Sequence, residues 1–359
     1  MKAPDIFVEL FRVFGSRNLR RGVKNIMKGF INYLLPRIIQ WFIVIFVGIT
    51  VAFIIPRLSP VDPVEAVLNK MAGYSIMNPQ AVSELRETLE ALFGTDKNIF
   101  VQYTEFWGRL LKGDLGPSLS MFPVPVIDII KTSLPWSVFL LLSSTIIAWL
   151  LGIFLGTMIT VNSKKKWAKL LEGLVTFLYP IPHYILALAL LFLFAYLFPV
   201  FPLTGAYGIG SIPEFNLRFI RETIKHSFLP ALSIILVSLG WTALSQKALV
   251  SNLLSSDFMK YAKIGGVPKQ TRFFYLISNS ALPQVTDLAL SLGTIFSGSL
   301  IVEVVFSYPG LGQVLQSAIL QGDYNTIMGI TAFSIIAIAT AALILDLIYP
   351  LLDPRIRRG

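Results

Sequence analysis

The chain contains no cysteine among its 359 residues, and only 14% of its residues are charged. The first absence excludes disulfides, thiolate metal sites and cysteine nucleophiles. The second is unusual, because about a quarter of the residues in a soluble domain are charged. With 55% hydrophobic residues and a mean hydropathy of +0.71, the composition excludes a disordered chain and argues against an ordinary soluble enzyme.

Signatures of catalysis and nucleotide binding are also missing from the sequence. None of the 25 glycines precedes a lysine, so the phosphate-binding sequence G-x-x-x-x-G-K-[ST] does not occur. Neither an H-E-x-x-H zinc helix nor a G-x-S-x-G nucleophile elbow is present, and two histidines give little scope for a metal centre. We therefore expect no catalytic residue, no cofactor, no metal site and no ATPase site in this chain.

Apolar segments of membrane-spanning length recur along the chain. A helix needs roughly 20 residues to cross about 30 Å of hydrocarbon, and an open chain satisfies its own backbone there only as a helix. Six windows approach or exceed that length: 38–55, 134–161, 173–198, 228–246, 284–306 and 326–345. The sequence therefore predicts an all-α integral membrane protein with six transmembrane helices.

The basic residues indicate an orientation. Residues 1–37 hold eight Lys and Arg against two acidic residues. The segments expected on the same side are also basic: 162–172, 251–283 and the tail after Leu352. The segments expected opposite are acidic or only weakly basic: 57–132, 199–227 and 307–325. Since Lys and Arg accumulate in cytoplasmic segments, both termini are expected in the cytoplasm, and the net charge of +10 favours membrane lipid over nucleic acid as a partner.

This pattern divides the chain into four parts. They are a basic amphipathic N-terminal extension at 1–33, transmembrane helix 1 at 34–56, an external segment at 57–132, and a membrane core at 133–359 with helices 2–6. In the extension, Phe7, Leu10, Phe11 and Phe14 share a helical face, which predicts a helix along the inner leaflet or a loosely ordered basic tail near anionic lipid. In the external segment, the turn sequence 113–118 either reverses the chain or contacts an external protein.

Few ionisable residues lie inside the six windows, and no array of carboxylates lies near the middle of a helix. Ion-coupled carriers usually place such groups near the bilayer midplane. His183 follows two prolines, which indicates a locally irregular stretch with a satisfied imidazole or, alternatively, a proton relay. Asp287 is explained by an interface hydrogen bond or a snorkelling carboxylate. Glu303 either lines an external mouth or caps local backbone.

The most informative segment is the cytoplasmic loop 255–283. Asp257 lies in the first turn of a short predicted helix, where an acidic residue is favourable. Three residues then form a small apolar face: Phe258, Tyr261 and Ala262. Three further residues end this helix and begin a second one: Gly265, Gly266 and Pro268. The apolar face could enter a partner's groove, although a plain helical hairpin gives the same signals.

This loop resembles a known family. The sequence DFMKYAKIGG at 257–266 is similar to the E-A-A-x-x-x-G loop of ABC-importer permeases of the dipeptide and oligopeptide class. Lys260 stands at the Glu position, Tyr261 and Ala262 at the two Ala positions, and Gly266 at the Gly position, so the first two depart from the motif. The resemblance extends from about residue 34 to the end. Its other matching segments are 113–119, as in the B-type subunit, 282–283, 301–312, 323–324 and 351–357.

The resemblance implies a fold and a set of partners. The fold would be the six-helix ABC type I importer permease, with the external segment between helices 1 and 2. The chain would form half of the translocation path beside a second permease subunit. Two ATP-binding subunits would drive it, and an extracytoplasmic solute-binding protein would deliver peptides, oligosaccharides or metal chelates.

The resemblance also implies roles for residues in the loop. Closure of the ATPases would push the segment 257–268 and tilt the attached helices. The coupling residues would be Phe258, Tyr261 and Ala262 at the contact face, Gly265, Gly266 and Pro268 at the corner, and Asp257 and Lys260 at the polar rim. Two other classes are kept open, an ion-coupled secondary carrier or channel and a noncatalytic membrane scaffold.

Overall fold

The computed structural model describes residues 17–58, 64–65, 68, 79–94, 97–208, 210–211, 214, 216–298 and 300–352. The apolar face predicted between Phe7 and Phe14 and the matching segment 353–357 lie outside these residues. The principal helices are α1 Arg17–Arg57, α2 Pro79–Phe93, α3 Ile99–Leu110, α4 Val126–Val161, α5 Lys166–Leu178, α6 His183–Leu191, α7 Leu217–Ser255, α8 Asp257–Ile264, α9 Lys269–Gly298, α10 Leu300–Val305, α11 Leu311–Gln321 and α12 Tyr324–Leu352. A short π-helix, Phe192–Leu197, continues α6.

The apolar helices confirm a multi-pass helical membrane protein. Four spans in the described residues are long and apolar enough to cross a membrane: Leu34–Arg57 within α1, all of α4, all of α7, and Tyr324–Leu347 within α12. The helix α1 continues unbroken through residue 34, so the described part of the basic extension runs directly into the first predicted membrane helix. The six-helix count and the external position of 57–132 stay predictions.

The sequence predicted one membrane helix across the window 173–198, but the structure has two helical segments there. α5 and the segment His183–Leu197, which combines α6 with the π-helix, meet at an angle of 104°, so together they form a broken span or a re-entrant loop. Pro180 and Pro182 lie in the four-residue break, and proline has no backbone N–H with which to continue a helix. The irregular stretch expected before His183 is this break.

Glycines bring α4 and α7 into very close contact. Gly152 and Gly156 are four residues apart on α4 and face α7. A Cβ atom on Gly156 would overlap the carbonyl oxygen of Ala243, so no side chain fits at this position. On α7, a Cβ on Gly240 would lie 3.0 Å from the Cα of Tyr179, in the break after α5. Small residues are the usual means of packing membrane helices closely, because lipid gives apolar side chains little reason to prefer one another.

A buried amide then joins three helices. Gln246 of α7 has no exposed surface, and its Nε2 donates hydrogen bonds to Thr157 Oγ1 of α4 and Ser280 Oγ of α9, both at 2.8 Å. A second link between α4 and α9 is the hydrogen bond from Trp149 Nε1 to the carbonyl oxygen of Gln284, at 2.9 Å. Polar links of this kind specify which helices are neighbours where apolar contacts alone discriminate poorly.

The helices α1 and α12 pack against each other beside this group. Ile49 and Phe53 of α1 are buried with Phe106 of α3 and Met328 of α12. Trp41 Nε1 also donates a hydrogen bond of 3.1 Å to Thr340 Oγ1. The first and last of the described membrane spans are therefore held together.

The close contact between α4 and α7 gives a stability prediction. Gly156→Ala should destabilise the protein by about 1–3 kcal/mol, the usual cost of forcing an extra methyl group into a packed interface. Thermal unfolding of the purified protein in detergent measures this effect.

Gly173→Ala is the matched control, because Gly173 also lies within a helix but a Cβ there would meet nothing within 4 Å. This change should be neutral or slightly stabilising, since alanine favours helix over glycine. Equal unfolding temperatures for Gly156→Ala and the wild type would contradict the close packing of α4 on α7.

Candidate functional site

The helices α7, α8 and α9 meet at a corner formed by residues 257–268, which we call the glycine corner. Ser256 separates α7 from α8 in an extended conformation, and its hydroxyl donates to the carbonyl oxygen of Leu253 at 2.6 Å. Asp257 begins α8 and forms an exposed ion pair of 2.9 Å with Lys260, one turn later. The two predicted polar rim residues are therefore partners of each other.

Gly266 gives the glycine corner its shape. It adopts a left-handed conformation with φ of +74°, which side chains on L-residues rarely tolerate. The N–H of Gly266 bonds to the carbonyl oxygen of Lys263 at 3.3 Å, and the N–H of Val267 bonds to that of Ala262 at 3.0 Å. These two bonds form a Schellman motif, which satisfies the last carbonyl groups of α8 and turns the chain towards α9.

Two faces of α8 have different environments. Met259 is buried with Val250 of α7 and Leu276 of α9, and Ala262 is partly buried against the same cluster. On the opposite side three apolar residues are exposed: Phe258 at 48%, Tyr261 at 72% and Ile264 at 81%. Ala262 therefore lies on the inner face, although the sequence placed it on the contact face with Phe258 and Tyr261. Ile264 was missed, and its spacing of i+3 from Tyr261 could have revealed it.

A second cluster is centred on Asp323, which is fully buried between α11 and α12. Its Oδ2 accepts hydrogen bonds from the Ser118 hydroxyl, from the backbone N–H of Ser120 at 3.0 Å and from the Ser120 hydroxyl at 2.8 Å. Its Oδ1 accepts from the N–H of Thr326 at 3.0 Å. Nearby, Asn325 Nδ2 donates to the carbonyl oxygen of Pro117 at 2.9 Å. The segments 113–119 and 323–324, about 200 residues apart in sequence, are thus one structural unit.

The environment of Asp323 favours its charged form. Burial alone would raise the pKa of this carboxyl group, but the hydrogen bonds from Ser118, Ser120 and Thr326 outweigh burial and hold the pKa below its ordinary value. A carboxylate that accepts several hydrogen bonds is stabilised as an anion. The cluster accordingly uses a buried charge to fix a turn against a helix.

Glu303 is also fully buried, and the structure gives it a capping role. Its Oε2 accepts a hydrogen bond of 2.7 Å from the N–H of Gly312 in the first turn of α11. Ser137 of α4 accepts another from the N–H of Leu311, at 2.8 Å. Gly310 is required here, because a Cβ on this residue would overlap the carboxylate of Glu303. Of the two expectations for Glu303, backbone capping describes this geometry, while the external mouth stays a prediction.

A cavity of about 310 Å³ brings together the other two ionisable residues of the apolar windows. His183 and Asp287 both line it, between α4, α7, α9 and the break before α6. Trp241 Nε1 donates to Asp287 Oδ2 at 3.2 Å, and the ring of Trp241 stacks on that of Tyr179 with centroids 5.6 Å apart. Sequence reasoning assigned His183 and Asp287 separate local explanations, and their convergence is a long-range property of the fold.

Within the described part of the chain, no three His, Asp or Glu side chains are grouped so that they could hold a metal ion. The polar clusters described above are instead made of carboxylates with hydroxyl, amide and indole donors.

Comparison with known proteins identifies a family. Residues 148–358 match the family described as binding-protein-dependent transport system inner membrane component. The oligopeptide transport system permease protein AppB of Bacillus subtilis is 28% identical over 87% of this chain and 95% of its own length. The probable D,D-dipeptide transport system permease protein DdpB of Escherichia coli is 28% identical, over 86% and 92%. The di/tripeptide transport system permease protein DppB of Pseudomonas aeruginosa is 27% identical, over 87% and 95%.

The Asp323 cluster gives a prediction about stability and pH. Asp323→Asn should destabilise the protein by roughly 1–3 kcal/mol at pH 7, because several buried donors lose a charged acceptor. The native pKa is lowered, so the stabilising contribution is present above the ordinary value of 3.8 and is lost as pH falls through the native pKa. Thermal unfolding between pH 7 and pH 3 should therefore show the two proteins converging in acid.

Asp128→Asn provides the matched control. Asp128 is an exposed carboxylate that forms a surface ion pair of 3.3 Å with Lys131, so the loss of its charge should change the unfolding temperature little. A constant difference between Asp323→Asn and wild type across this pH range would contradict the role given to the charged carboxylate.

Proposed function

The chain belongs to the family of binding-protein-dependent transport system inner membrane components, and from this premise we propose that it is one permease subunit of an ATP-driven ABC importer. It forms half of the solute path, and a second permease subunit forms the other half. Two separate ATP-binding subunits drive it through the glycine corner. A solute-binding protein outside the membrane supplies the solute. The names of the relatives support peptides as that solute.

The exposed apolar strip on α8 is the observation that carries this proposal. Phe258, Tyr261 and Ile264 project from a short helix, with lysines at 260 and 263 beside them. A surface that faces only water gives no reason to expose three bulky apolar residues on so short a helix. Such a strip fits the groove of a protein partner, with the apolar side chains as anchors and the lysines at the rim.

The inner face of α8 supports a mechanical role. Met259 packs against Val250 of α7 and Leu276 of α9, so α8 is attached to both long helices and not only to their ends. Slightly deeper in the bundle, Gln246 of α7 is hydrogen-bonded to Ser280 of α9. A force on α8 would therefore move α7 and α9 together, as a rigid-body switch between two packings requires.

The sequence supports the division of labour between subunits. No glycine in the chain precedes a lysine, so the common phosphate-binding loop is missing and another subunit must bind ATP in this way. In this proposal the chain contributes half of the solute path and the helix α8 that transmits movement to α7 and α9, and the ATP-binding subunits supply the energy. Uptake by this chain without those subunits would instead favour the secondary carrier or channel.

Gly266→Arg should abolish ATP-driven uptake while leaving membrane insertion unchanged. The space around Gly266 is open, since a Cβ there meets nothing within 4 Å, so an arginine would project into the partner's groove. A charge forced into an interface without a partner typically costs at least about 2 kcal/mol, which corresponds to more than about a tenfold loss of affinity for the ATP-binding subunits. Uptake into proteoliposomes and co-purification of these subunits measure the effect.

Gly210→Arg is the matched control. Gly210 also has a left-handed conformation, with φ of +85°, and a Cβ on this residue would also meet nothing within 4 Å. It lies far along the chain from the glycine corner, so the same backbone strain and the same added charge should leave the ATP-binding subunits attached. Full uptake by Gly266→Arg, or equal losses in both variants, would refute the coupling role.

The orientation of the chain can be tested by labelling, because the chain has no cysteine of its own. Tyr261→Cys should react with a membrane-impermeant maleimide only from the cytoplasmic side, and Lys112→Cys only from the outside. Both positions are exposed in the chain itself, and the labelling uses the chain expressed without the ATP-binding subunits, which would cover Tyr261. Labelling of intact cells and of inverted vesicles distinguishes the two sides, and reaction of Tyr261→Cys in intact cells would overturn the orientation.

A further inference from the structure

The cavity beside Asp287 contains a carboxylate without a counter-ion. Asp287 is partly exposed and forms no ion pair within the described residues; its contact there is the indole N–H of Trp241. A neutral N–H donor does not compensate a full negative charge. A carboxylate inside a membrane-spanning region is costly and is usually retained where it faces a partner or a water-filled path.

Two other carboxylates, which are fully buried, show what a structural role requires. Asp323 and Glu303 each have no exposed surface, and each accepts hydrogen bonds from backbone N–H groups. Asp287 accepts none of this kind in the described residues and opens into a cavity of about 310 Å³. Asp287 is therefore placed to bind a ligand in the cavity, whereas Asp323 and Glu303 stabilise the fold.

Aromatic rings wall the cavity next to this charge. Trp241 and Tyr179 stack with centroids 5.6 Å apart, and they remain 48% and 44% exposed. Exposed aromatic rings beside a carboxylate attract an ammonium group in two ways, through the quadrupole of the rings and through the opposite charge. Ser238 and Ser291 also line the cavity, and their hydroxyl oxygens can accept hydrogen bonds from the remaining ammonium N–H groups.

We propose that this cavity binds the ammonium group of the transported solute, so that its ligands are solutes with a free primary amine, such as the N-terminus of a peptide. The described residues that line the cavity include no lysine or arginine, and His183 is the one among them that can carry a positive charge, so an anionic group would meet the charge of Asp287 without a permanent cation to offset it. A neutral carbohydrate could stack on the rings but would leave the carboxylate without an opposite charge. This inference rests on the function proposed above, and it adds the chemical class that the path recognises.

The position of the cavity also couples binding to transport. Trp241 belongs to α7 and Asp287 to α9, the two helices that are joined through the glycine corner. When these helices move together as one body, they carry both ligands of the ammonium group with them, relative to the second permease subunit. The site is therefore open to one side of the membrane in one packing and to the other side in the other packing, as directional passage requires.

The test uses the complete importer in detergent or nanodiscs, without the solute-binding protein. Ligand-observed NMR measures weak binding of trialanine and of N-acetyl-trialanine to the wild type and to Asp287→Asn. A charge-assisted contact contributes about 1.5–3 kcal/mol, so the loss of the carboxylate should weaken trialanine binding roughly 10- to 100-fold. N-acetyl-trialanine, which has no ammonium group, should bind weakly and equally to both proteins.

Three further variants keep the result interpretable. Asp287→Glu retains the charge and should retain most of the binding, which separates the role of the charge from a general loss of folding. Trp241→Leu removes the ring and should weaken trialanine binding severalfold through the loss of the cation–π contact. Asp128→Asn, an exposed carboxylate at the start of α4, should bind trialanine as the wild type does.

Two outcomes overturn the inference, and a parallel assay separates it from the proposed function. Equal binding of trialanine by Asp287→Asn and wild type would overturn it, and so would equal binding of trialanine and its N-acetyl form by the wild type. ATP-driven trialanine uptake is measured on the same proteins with the solute-binding protein added. If trialanine is taken up but one of the two equal-binding results is found, the amine site alone is refuted. If the complete importer does not take up trialanine with ATP, the proposed function is refuted, and the site with it.

Discussion

The contact between α4 and α7 is the constraint on which the other features depend. Two glycines of α4 allow the backbone of α7 to approach so closely that no side chain fits between them. The contact lies between the cavity, which Trp241 lines, and the amide of Gln246. This contact fixes α7 against α4, so the parts of α7 on either side of it can have different roles. One end of this rigid section lines the cavity beside Asp287, and the other continues into the glycine corner.

Three carboxylates of the apolar region illustrate how surroundings decide the role of a chemical group. Glu303 and Asp323 are buried and hydrogen-bonded to backbone N–H groups, so each fixes a turn against the start of a helix. Asp287 lies within α9 of the same bundle, and its described donor is the indole N–H of Trp241. Composition and position cannot distinguish these cases, because the difference lies in which distant donors the fold supplies.

Much of the architecture could be predicted from the sequence, because membrane helices are specified locally by length and apolar character. The turn at Gly266 was also predictable, since glycine is the residue that ends a helix in a left-handed conformation. The inner and outer faces of α8 were harder. Ala262 was placed outside because its spacing fitted Phe258 and Tyr261, whereas Met259 and Ala262 together fill the space between α7 and α9. Ser118 is hydrogen-bonded to Asp323, and His183 lines the same cavity as Asp287. The members of each pair are more than 100 residues apart in sequence, so no local pattern predicts that they lie close together.

The turn after α8 is closed by backbone bonds, from Gly266 to Lys263 and from Val267 to Ala262. Its shape therefore depends on one glycine and hardly on the identity of the neighbouring exposed side chains. Lys260 and Tyr261 depart from the motif that this loop resembles. These two positions can vary while the glycine corner keeps its shape. In the coupling role proposed above, exposed positions of this kind would allow the surface that meets the ATP-binding subunits to change by point substitution without any change of fold.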